Sequence, residues 1–256
     1  MKLLFDCFYG VSGDMIVGAL LDLGADQNSL KKVLKSLGLK DYQIKISKVK
    51  KGNITATDFD VVLSSDNHDH DMNFLFGDKE VNFEFKEKRR LSDIANLLEK
   101  SSMTERAKEI ALKIFDVVAQ AEGKAHGIPK ENVIFHETGA MDSIIDIVSI
   151  AVCFDNLNIS KAFVTNLREG QGQINTRVGY LPIPTPAVKN VLEGYGASLE
   201  ICSLPFELIT PTGISAIAVL TNFKNIDSKI DIIKDGFGSG KRDYGMQGTL
   251  RCCLFE

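Results

Sequence analysis

The spacing of hydrophobic residues predicts alternating strands and helices in the first quarter of the chain. Residues 2–8 form an apolar run that predicts a buried strand, and residues 15–23 predict an apolar helix. Leucine and valine side chains recur every three to four positions over residues 30–37, which is typical of an amphipathic helix. Residues 42–49 and 54–63 alternate in polarity around a KKGN turn, and this pattern predicts a β-hairpin.

The middle of the chain has a different character. Residues 64–88 are polar, charged and irregular, with a short strand predicted at residues 81–85, and we interpret them as a mobile insertion. Helical periodicity then returns over residues 91–99 and 104–126. A further helix is predicted over residues 140–157, and it is apolar enough to be largely buried.

Strand and helix signals alternate again in the last hundred residues. Residues 162–165 predict a strand, and residues 249–255 predict a closing strand. Thr185 and Thr210 are each followed by proline, which indicates two helix starts with threonine as the N-cap. Three glycines are expected to form a loop before the closing strand: Gly236, Gly238 and Gly240.

These elements predict an α/β protein, with α+β as the alternative, in which mixed sheet units at both ends flank a largely helical middle. Residues 1–63 are expected to form an N-terminal α/β unit, followed by a flexible polar insertion at residues 64–90. Residues 91–256 are expected to hold the helical middle and a C-terminal α/β unit, packed with residues 1–63 as one compact domain.

Composition excludes several functional classes. The net charge of −4 is well mixed along the 256 residues, without the basic stripe that tracks nucleic-acid phosphates. No apolar run is long enough to cross a bilayer, and the amino terminus does not resemble a signal peptide. The five cysteines include no C-x-x-C pair, which favours reduced thiols. We therefore expect a cytoplasmic protein that binds neither nucleic acid nor membrane.

The densest group of chemically competent side chains lies between residues 121 and 146. Glu122 and His126 are four residues apart and share one helix face, as do Asp142 and Asp146. Imidazole and carboxylate are ligands that zinc or nickel accepts, although a buried hydrogen-bonded cluster at a helix junction is the alternative. The group as a whole comprises Glu122, His126, His136, Glu137, Asp142 and Asp146.

Two turns that open helices could cradle a phosphate with their backbone amides. The turn YGVSGD after the first strand lacks the glycine-rich nucleotide fingerprints, and Asp6 and Asp14 would repel phosphate unless a cation intervened. Asp14 could equally be a carboxylate that stabilises a helix start. The second turn, TPTG at residues 210–213, is a helix cap first and a phosphate cradle second.

Two further features could hold a metal. His68 and His70 alternate with aspartates in the polar insertion, where they could capture a cation or form an ordinary solvated loop. Cys7 follows the first strand and could be a soft ligand, but a small buried apolar role is favoured.

Long motifs in a fixed order resemble the nickel-insertion protein family across nearly the whole chain. They are FDCFYGVSGDMIVGALLDLG, AEGKAHG, FHETGAMDSIIDIV, LPIPTPAV, ELITPTG, GFGSG and LRCCLF. The resemblance implies insertion of nickel(II) into pyridinium-3,5-bisthiocarboxylic acid mononucleotide, a lyase-class reaction that makes the nickel-pincer cofactor of lactate racemase. It also implies a requirement for CTP with Mg²⁺ or Mn²⁺, and leaves a homo-oligomer open.

The resemblance places roles on the residues already singled out. Forming a carbon–nickel bond removes a ring proton, and His136 or Glu137 is our choice for the general base. The implied nickel ligands are Glu122, His126, His136, Asp142, Asp146, His68 and His70. The implied contacts to the substrate phosphate are Ser12, Gly13, Asp14, Thr210, Thr212 and Gly213.

The chain departs from the family's pattern in ways that reduce its metal donors. The family's histidine run is shortened here to His68 and His70, and two further family histidines are replaced by Ile134 and Val178. The family continues into a C-terminal module to which CTP binding is attributed, and this module is expected in trans or on a separate chain. A non-catalytic nickel chaperone remains an alternative, as does a Mg²⁺- or Mn²⁺-dependent enzyme using Asp6, Asp14, Asp142 and Asp146.

Overall fold

The computed structural model of the chain describes residues 1–63, 89–135, 140–176, 179–226, 229–241 and 247–256. The strand expected at residues 81–85 and nearly all of the polar insertion lie outside these ranges. So do five residues that the sequence singled out: His68, His70, His136, Glu137 and Val178.

The described residues alternate between strands and helices, as the hydrophobic pattern predicts. The helices are α1 (Gly13–Asp22), α2 (Gln27–Ser36), α3 (Leu91–Glu99), α4 (Glu105–His126), α5 (Ala140–Asn156), α6 (Pro186–Tyr195) and α7 (Pro211–Thr221). The strands are β1 (Lys2–Asp6), β2 (Tyr42–Lys51), β3 (Ile54–Leu63), β4 (Lys161–Thr165), β5 (Arg168–Glu169), β6 (Gly172–Thr176), β7 (Gly179–Ile183), β8 (Glu200–Ile201), β9 (Ile232–Ser239) and β10 (Thr249–Phe255).

Six of these strands form one mixed sheet in the order β2-β3-β9-β10-β1-β4. Strand β1 runs parallel to β4 and antiparallel to β10, while β2 and β3 form the predicted hairpin. The sheet therefore joins strands from both ends of the sequence. This arrangement confirms the α/β prediction. Two short pairs, β5-β8 and β6-β7, lie outside this sheet and were not predicted.

The glycines expected to form a loop before the last strand lie instead in or next to β9, and that prediction was wrong. A Cβ on Gly236 would lie 2.5 Å from the Ala19 carbonyl oxygen, and one on Gly238 would lie 2.7 Å from the Ala19 nitrogen. The glycines are needed because helix α1 packs directly on the backbone of β9. A strand whose backbone packs directly against a helix can therefore contain as many glycines as a loop.

Helices α4, α5 and α7 form a second layer behind α1 and complete the hydrophobic core. Helix α5 is buried on most sides, as its apolar sequence predicts, and Phe115 of α4 packs edge-to-face on Phe135 at 5.7 Å. Among the described residues, no helix combines the length and hydrophobicity needed to cross a bilayer.

Candidate functional site

The loop between β1 and α1 is hydrogen-bonded to the segment that leads into α7. The Val11 amide donates to the Leu208 carbonyl at 2.9 Å, and the Thr210 amide donates to the Val11 carbonyl at 3.0 Å. A Cβ on Gly213 would lie 2.7 Å from the Val11 carbonyl carbon, so α7 can approach this loop only with glycine at that position. The first turns of α1 and α7 are therefore neighbours.

A buried carboxylate, Glu169, fixes the segment before α7. It is fully buried, and it accepts hydrogen bonds from the backbone amides of Gly170 at 2.8 Å, Leu208 at 2.6 Å and Ile209 at 3.2 Å. Such amide bonds satisfy a carboxylate that burial would otherwise penalise. The sequence pattern did not indicate this role for Glu169, because two of its three partners are backbone amides about forty residues later in the chain.

The first two turns of α5 lie next to the other two helix starts. A Cβ on Gly13 would lie 2.8 Å from the Cβ of Asp146, and the backbone amide of Asp14 donates a hydrogen bond to the Asp146 carboxylate. On the α7 side, the hydroxyl groups of Ser143 and Thr212 lie 3.3 Å apart. Three helix N-termini thus converge on one place, which we call the helix junction.

The side chains at the start of α1 are bonded to one another. The Ser12 hydroxyl donates to the Asp14 carboxylate, and this carboxylate also accepts from the Met15 amide at 2.8 Å. The Thr210 hydroxyl caps α7 by accepting from the Gly213 amide at 3.1 Å. Thr185, the other predicted N-cap, makes no such side-chain bond to its helix, and the Ser12 hydroxyl accepts no backbone amide of α1.

Burial dominates the electrostatics of the helix junction. It raises the pKa of Asp14, although hydrogen bonding from Ser12 and the charge of Lys241 act in the opposite direction. The pKa of Asp146 is raised well above its ordinary value by burial first, and then by the nearby charges of Asp14 and Asp142. These carboxyl groups therefore hold protons more tightly than exposed aspartates do.

Lys241 partly compensates this negative charge, and no motif in the sequence indicates it. Its ammonium group lies 2.9 Å from the Asp58 carboxylate and 3.1 Å from that of Asp60. Burial alone would lower the pKa of Lys241, but the hydrogen bond that it donates to Asp58 and the surrounding carboxylates raise it above the ordinary value. The lysine therefore stays charged beside Asp14.

The helix junction brings together the residues predicted to contact phosphate: Ser12, Gly13, Asp14, Thr210, Thr212 and Gly213. It also holds Asp142 and Asp146. The amides of Asp14 and Met15 donate to carboxylates, so the start of α1 already has negative charge at its positive end. The first turn of α7 has no acidic residue, whereas the first turn of α1 has Asp14, so charge favours an added anion at the start of α7.

Glu122 and His126 lie together near the end of α4. The His126 Nε2 atom is 3.6 Å from the Glu122 carboxylate, and the side chains are 42% and 12% exposed respectively. Helix α4 ends at Gly127, which adopts the left-handed conformation with φ of 67°. The two side chains share one helix face, as predicted. The imidazole is exposed to solvent, whereas the Glu122 carboxylate is mostly buried.

Within the described ranges, no three His, Cys, Asp or Glu side chains are grouped so as to hold a metal ion. A ligand set that includes His68, His70 or His136 stays a prediction. Asp6 at the end of β1 accepts from the Asn166 amide group at 2.9 Å. Cys7 is fully buried, as expected, and burial raises the pKa of its thiol.

Residues 3–256 match the family model described as nickel insertion protein. The chain belongs to this family. The match extends over the sheet, the helix junction and helix α4, so no part of the described fold lies outside it except the first two residues.

Several curated relatives carry the full name pyridinium-3,5-bisthiocarboxylic acid mononucleotide nickel insertion protein. The one from Alkaliphilus metalliredigens is 42% identical over 260 residues, with 100% of this chain and 60% of the relative covered. Those from Geobacillus kaustophilus and Acetivibrio thermocellus are 38% and 37% identical, again over 60% of their length. The chain thus spans about 60% of the length of these relatives. No solved structure matches it significantly.

Proposed function

We propose that this chain binds nickel(II) and pyridinium-3,5-bisthiocarboxylic acid mononucleotide and takes part in inserting the metal to make the nickel-pincer cofactor of lactate racemase. The observation that carries the proposal is the 42% identity over the whole chain to a relative named for this insertion. Similarity of that extent covers every element around the helix junction.

The start of α7 is the proposed binding site for the substrate phosphate. The first turn of α7 packs against the β1–α1 loop, and the helix dipole favours an anion at this end of the helix. The Thr212 hydroxyl, 3.3 Å from that of Ser143, supplies a further donor. On the other side of the junction lie Ser12, Gly13 and Asp14. The backbone amide of Asp14 is already bonded to Asp146, and its carboxylate accepts the Met15 amide.

We propose Glu122 and His126 as nickel ligands, with His136 as a third ligand and with His68 and His70 as an outer capture site. Asp142 and Asp146, also predicted as ligands, lie at the helix junction and are not grouped with this pair in the described structure. Nickel stands near the top of the divalent affinity order, so a protein that must release it is better served by imidazole and carboxylate ligands than by thiolates. The two sulfur atoms of the substrate can then outcompete these ligands. The proton displaced from the ring carbon passes to His136 or Glu137 as general base.

Turnover in this proposal also needs a second module that binds CTP with Mg²⁺ or Mn²⁺, whether on the same polypeptide or on a separate chain. The relatives are longer than this chain, and we propose that the CTP module lies in that additional length. The lyase class of the reaction belongs to the same proposal.

A second candidate is an enzyme that uses Mg²⁺ or Mn²⁺ on a phosphorylated small molecule. It would use the carboxylates of the helix junction, Asp14, Asp142 and Asp146, which offer only oxygen atoms but are not grouped as a metal site in the described structure. Hard divalent cations prefer oxygen ligands, whereas nickel also accepts imidazole.

The test is reconstitution of the insertion reaction. The chain is mixed with the thiolated mononucleotide, NiCl₂, CTP and MgCl₂, together with the second module of a relative as a separate polypeptide. We expect a nickel-containing product, identified by its mass and its new absorbance, that is absent when this chain, nickel or CTP is omitted. Nickel-independent consumption of a phosphorylated compound would instead support the second candidate.

A variant pair tests the phosphate site within the same assay. Thr212→Val removes a hydroxyl at the start of α7, and we expect KM for the mononucleotide to rise roughly tenfold with a smaller change in kcat. Thr221→Val is the matched control, because this hydroxyl bonds the Ile217 carbonyl at 2.7 Å at the far end of the same helix. Equal KM values in both variants would contradict binding of the substrate phosphate at the start of α7.

A further inference from the structure

Phe8 is an exposed aromatic residue at the tip of the turn between β1 and α1. Gly10 closes this turn with φ of 92°, and its amide donates to the Cys7 carbonyl at 3.0 Å. Cys7 and Val11 on either side are fully buried, yet 43% of Phe8 is exposed. The loop is therefore anchored on both sides of a phenyl ring that faces solvent.

The ring of Phe8 is held in place although it is exposed. The guanidinium carbon of Arg168 lies 4.3 Å from the ring centroid, a cation–π contact, and the Tyr9 ring packs edge-on at 5.0 Å. Arg168 is itself fixed, because its Nε atom lies 3.2 Å from the Glu200 carboxylate across the β5-β8 pair. A guanidinium group has five N–H donors, so one ion pair leaves capacity for another anion.

Phe8 lies just beyond the carboxyl end of β1. Strands β1 and β4 are parallel, and the loops after both strands meet where Asn166 bonds Asp6. Ligands in open α/β sheets bind outside the carboxyl ends of the strands. Phe8 also precedes Ser12 by four residues, which limits their Cα separation to about 14 Å.

We propose that Phe8 and Arg168 bind the ring end of the substrate, while the helix junction binds its phosphate. This inference rests on the proposed function. A pyridinium ring is flat and positively charged, so stacking on a phenyl ring combines dispersion with cation–π attraction. The thiocarboxylate groups on that ring are anionic and pair with the Arg168 guanidinium.

A single introduced fluorophore tests the contact directly, because the chain contains no tryptophan. In Phe8→Trp, the bisthiocarboxylic acid mononucleotide is expected to quench the indole emission as the electron-poor ring stacks on it. Tyr195→Trp is the matched control, since Tyr195 is similarly exposed at 38% and packs on Phe223, just beyond the far end of α7. An eleven-residue helix separates that end from the junction by about 16 Å.

Calorimetry of the same ligand with the parent chain and with Phe8→Ala completes the test. We expect roughly tenfold weaker binding in Phe8→Ala, binding of inorganic phosphate unchanged, and an unchanged Tm. Quenching at position 8 alone, with that loss of affinity, supports the proposal.

Two outcomes would overturn the inference, and they differ in what they imply. If the parent and Phe8→Ala bind the mononucleotide equally, the ring lies elsewhere and the proposed function survives. If the parent chain binds no mononucleotide at all, the proposed function fails in the same measurement and the ring contact fails with it.

Discussion

Two pairs of candidate ligands have the same spacing in the sequence but very different surroundings in the fold. Asp142 and Asp146 lie four residues apart on α5, at the helix junction, where the pKa of Asp146 is raised by burial and by neighbouring carboxylates. Glu122 and His126 are also four residues apart, near the end of α4, and the imidazole is 42% exposed. Equal spacing thus indicates a shared helix face and leaves burial undetermined.

The neighbouring backbone accounts for the difference. Asp146 is covered by the first turn of α1, which approaches closely because Gly13 has no side chain. Helix α4 ends within a residue of His126, and Gly127 turns the chain away. One pair is therefore suited to holding protons or charge inside the protein, and the other to exchanging a ligand with solvent.

The largest effect is expected from filling the space above Asp146. Gly13→Ala places a methyl group 2.8 Å from the Asp146 Cβ atom, so one of the helices must move. We expect unfolding free energy to fall by about 1–3 kcal/mol, measured by urea denaturation.

The matched control is Gly194→Ala in α6, where a Cβ would meet no atom within 4 Å. Here alanine should stabilise the helix by about 0.5–1 kcal/mol. If both substitutions stabilise the protein, there is room for a Cβ between α1 and Asp146, and the two helices do not pack as closely as the structure shows.

A smaller loss is expected from removing the cation beside the junction. Lys241→Met leaves the Asp58 and Asp14 carboxylates without this positive charge, and we expect Tm to fall by about 2–4 °C at pH 7. The loss should shrink as pH falls, because protonated carboxyl groups no longer need the lysine.

Lys113→Met is the control for this change, since Lys113 pairs with Glu109 at 2.7 Å with both side chains more than 60% exposed. Exposed pairs contribute little, so Tm should change by no more than about 1 °C. Equal changes in Tm for the two variants at pH 7 would mean that Lys241 contributes no more to stability than an exposed ion pair does.

An effect of the opposite sign is expected from Asp146→Asn. The folded state binds the Asp146 proton more tightly than the unfolded state, so this carboxyl group stabilises the fold most at acid pH and progressively less as pH rises through its raised pKa. The variant should therefore have a higher Tm than the parent at pH 7, with the difference vanishing as pH approaches the ordinary aspartate range.

Thermal melts from pH 4 to pH 8 in the presence of a chelator measure this difference. A variant that is less stable than the parent at neutral pH would show that the Asp146 charge is compensated by more than Lys241.

Sequence patterns predicted much of the fold because periodicity reports which faces are buried. The bounds of α3 and β10 were predicted to the residue. Strand β9 was missed because Gly236 and Gly238 resemble a loop, and the reason for them lies in helix α1, more than two hundred residues earlier. Contacts of this kind have no local signal.

The helix junction was predicted in part for the same reason. The order of the motifs and the chemistry of helix starts predicted roles for Asp14 and Thr210. The sequence did not indicate that the two helix starts are neighbours. Glu169 and Lys241 gave no signal, because one binds distant backbone amides and the other contacts carboxylates on β3. Only the folded chain brings these charges together.

Nickel titration of the purified chain by calorimetry tests the central claim most directly, with MgCl₂ as the comparison metal. The account predicts nickel binding that is at least tenfold weaker in His126→Ala and unchanged in Lys124→Ala, two residues away on the same exposed turn. Magnesium should bind much more weakly than nickel. Absence of nickel binding, or nickel binding that His126→Ala leaves intact, would contradict the assignment of the α4 pair as ligands and of this chain as a nickel donor.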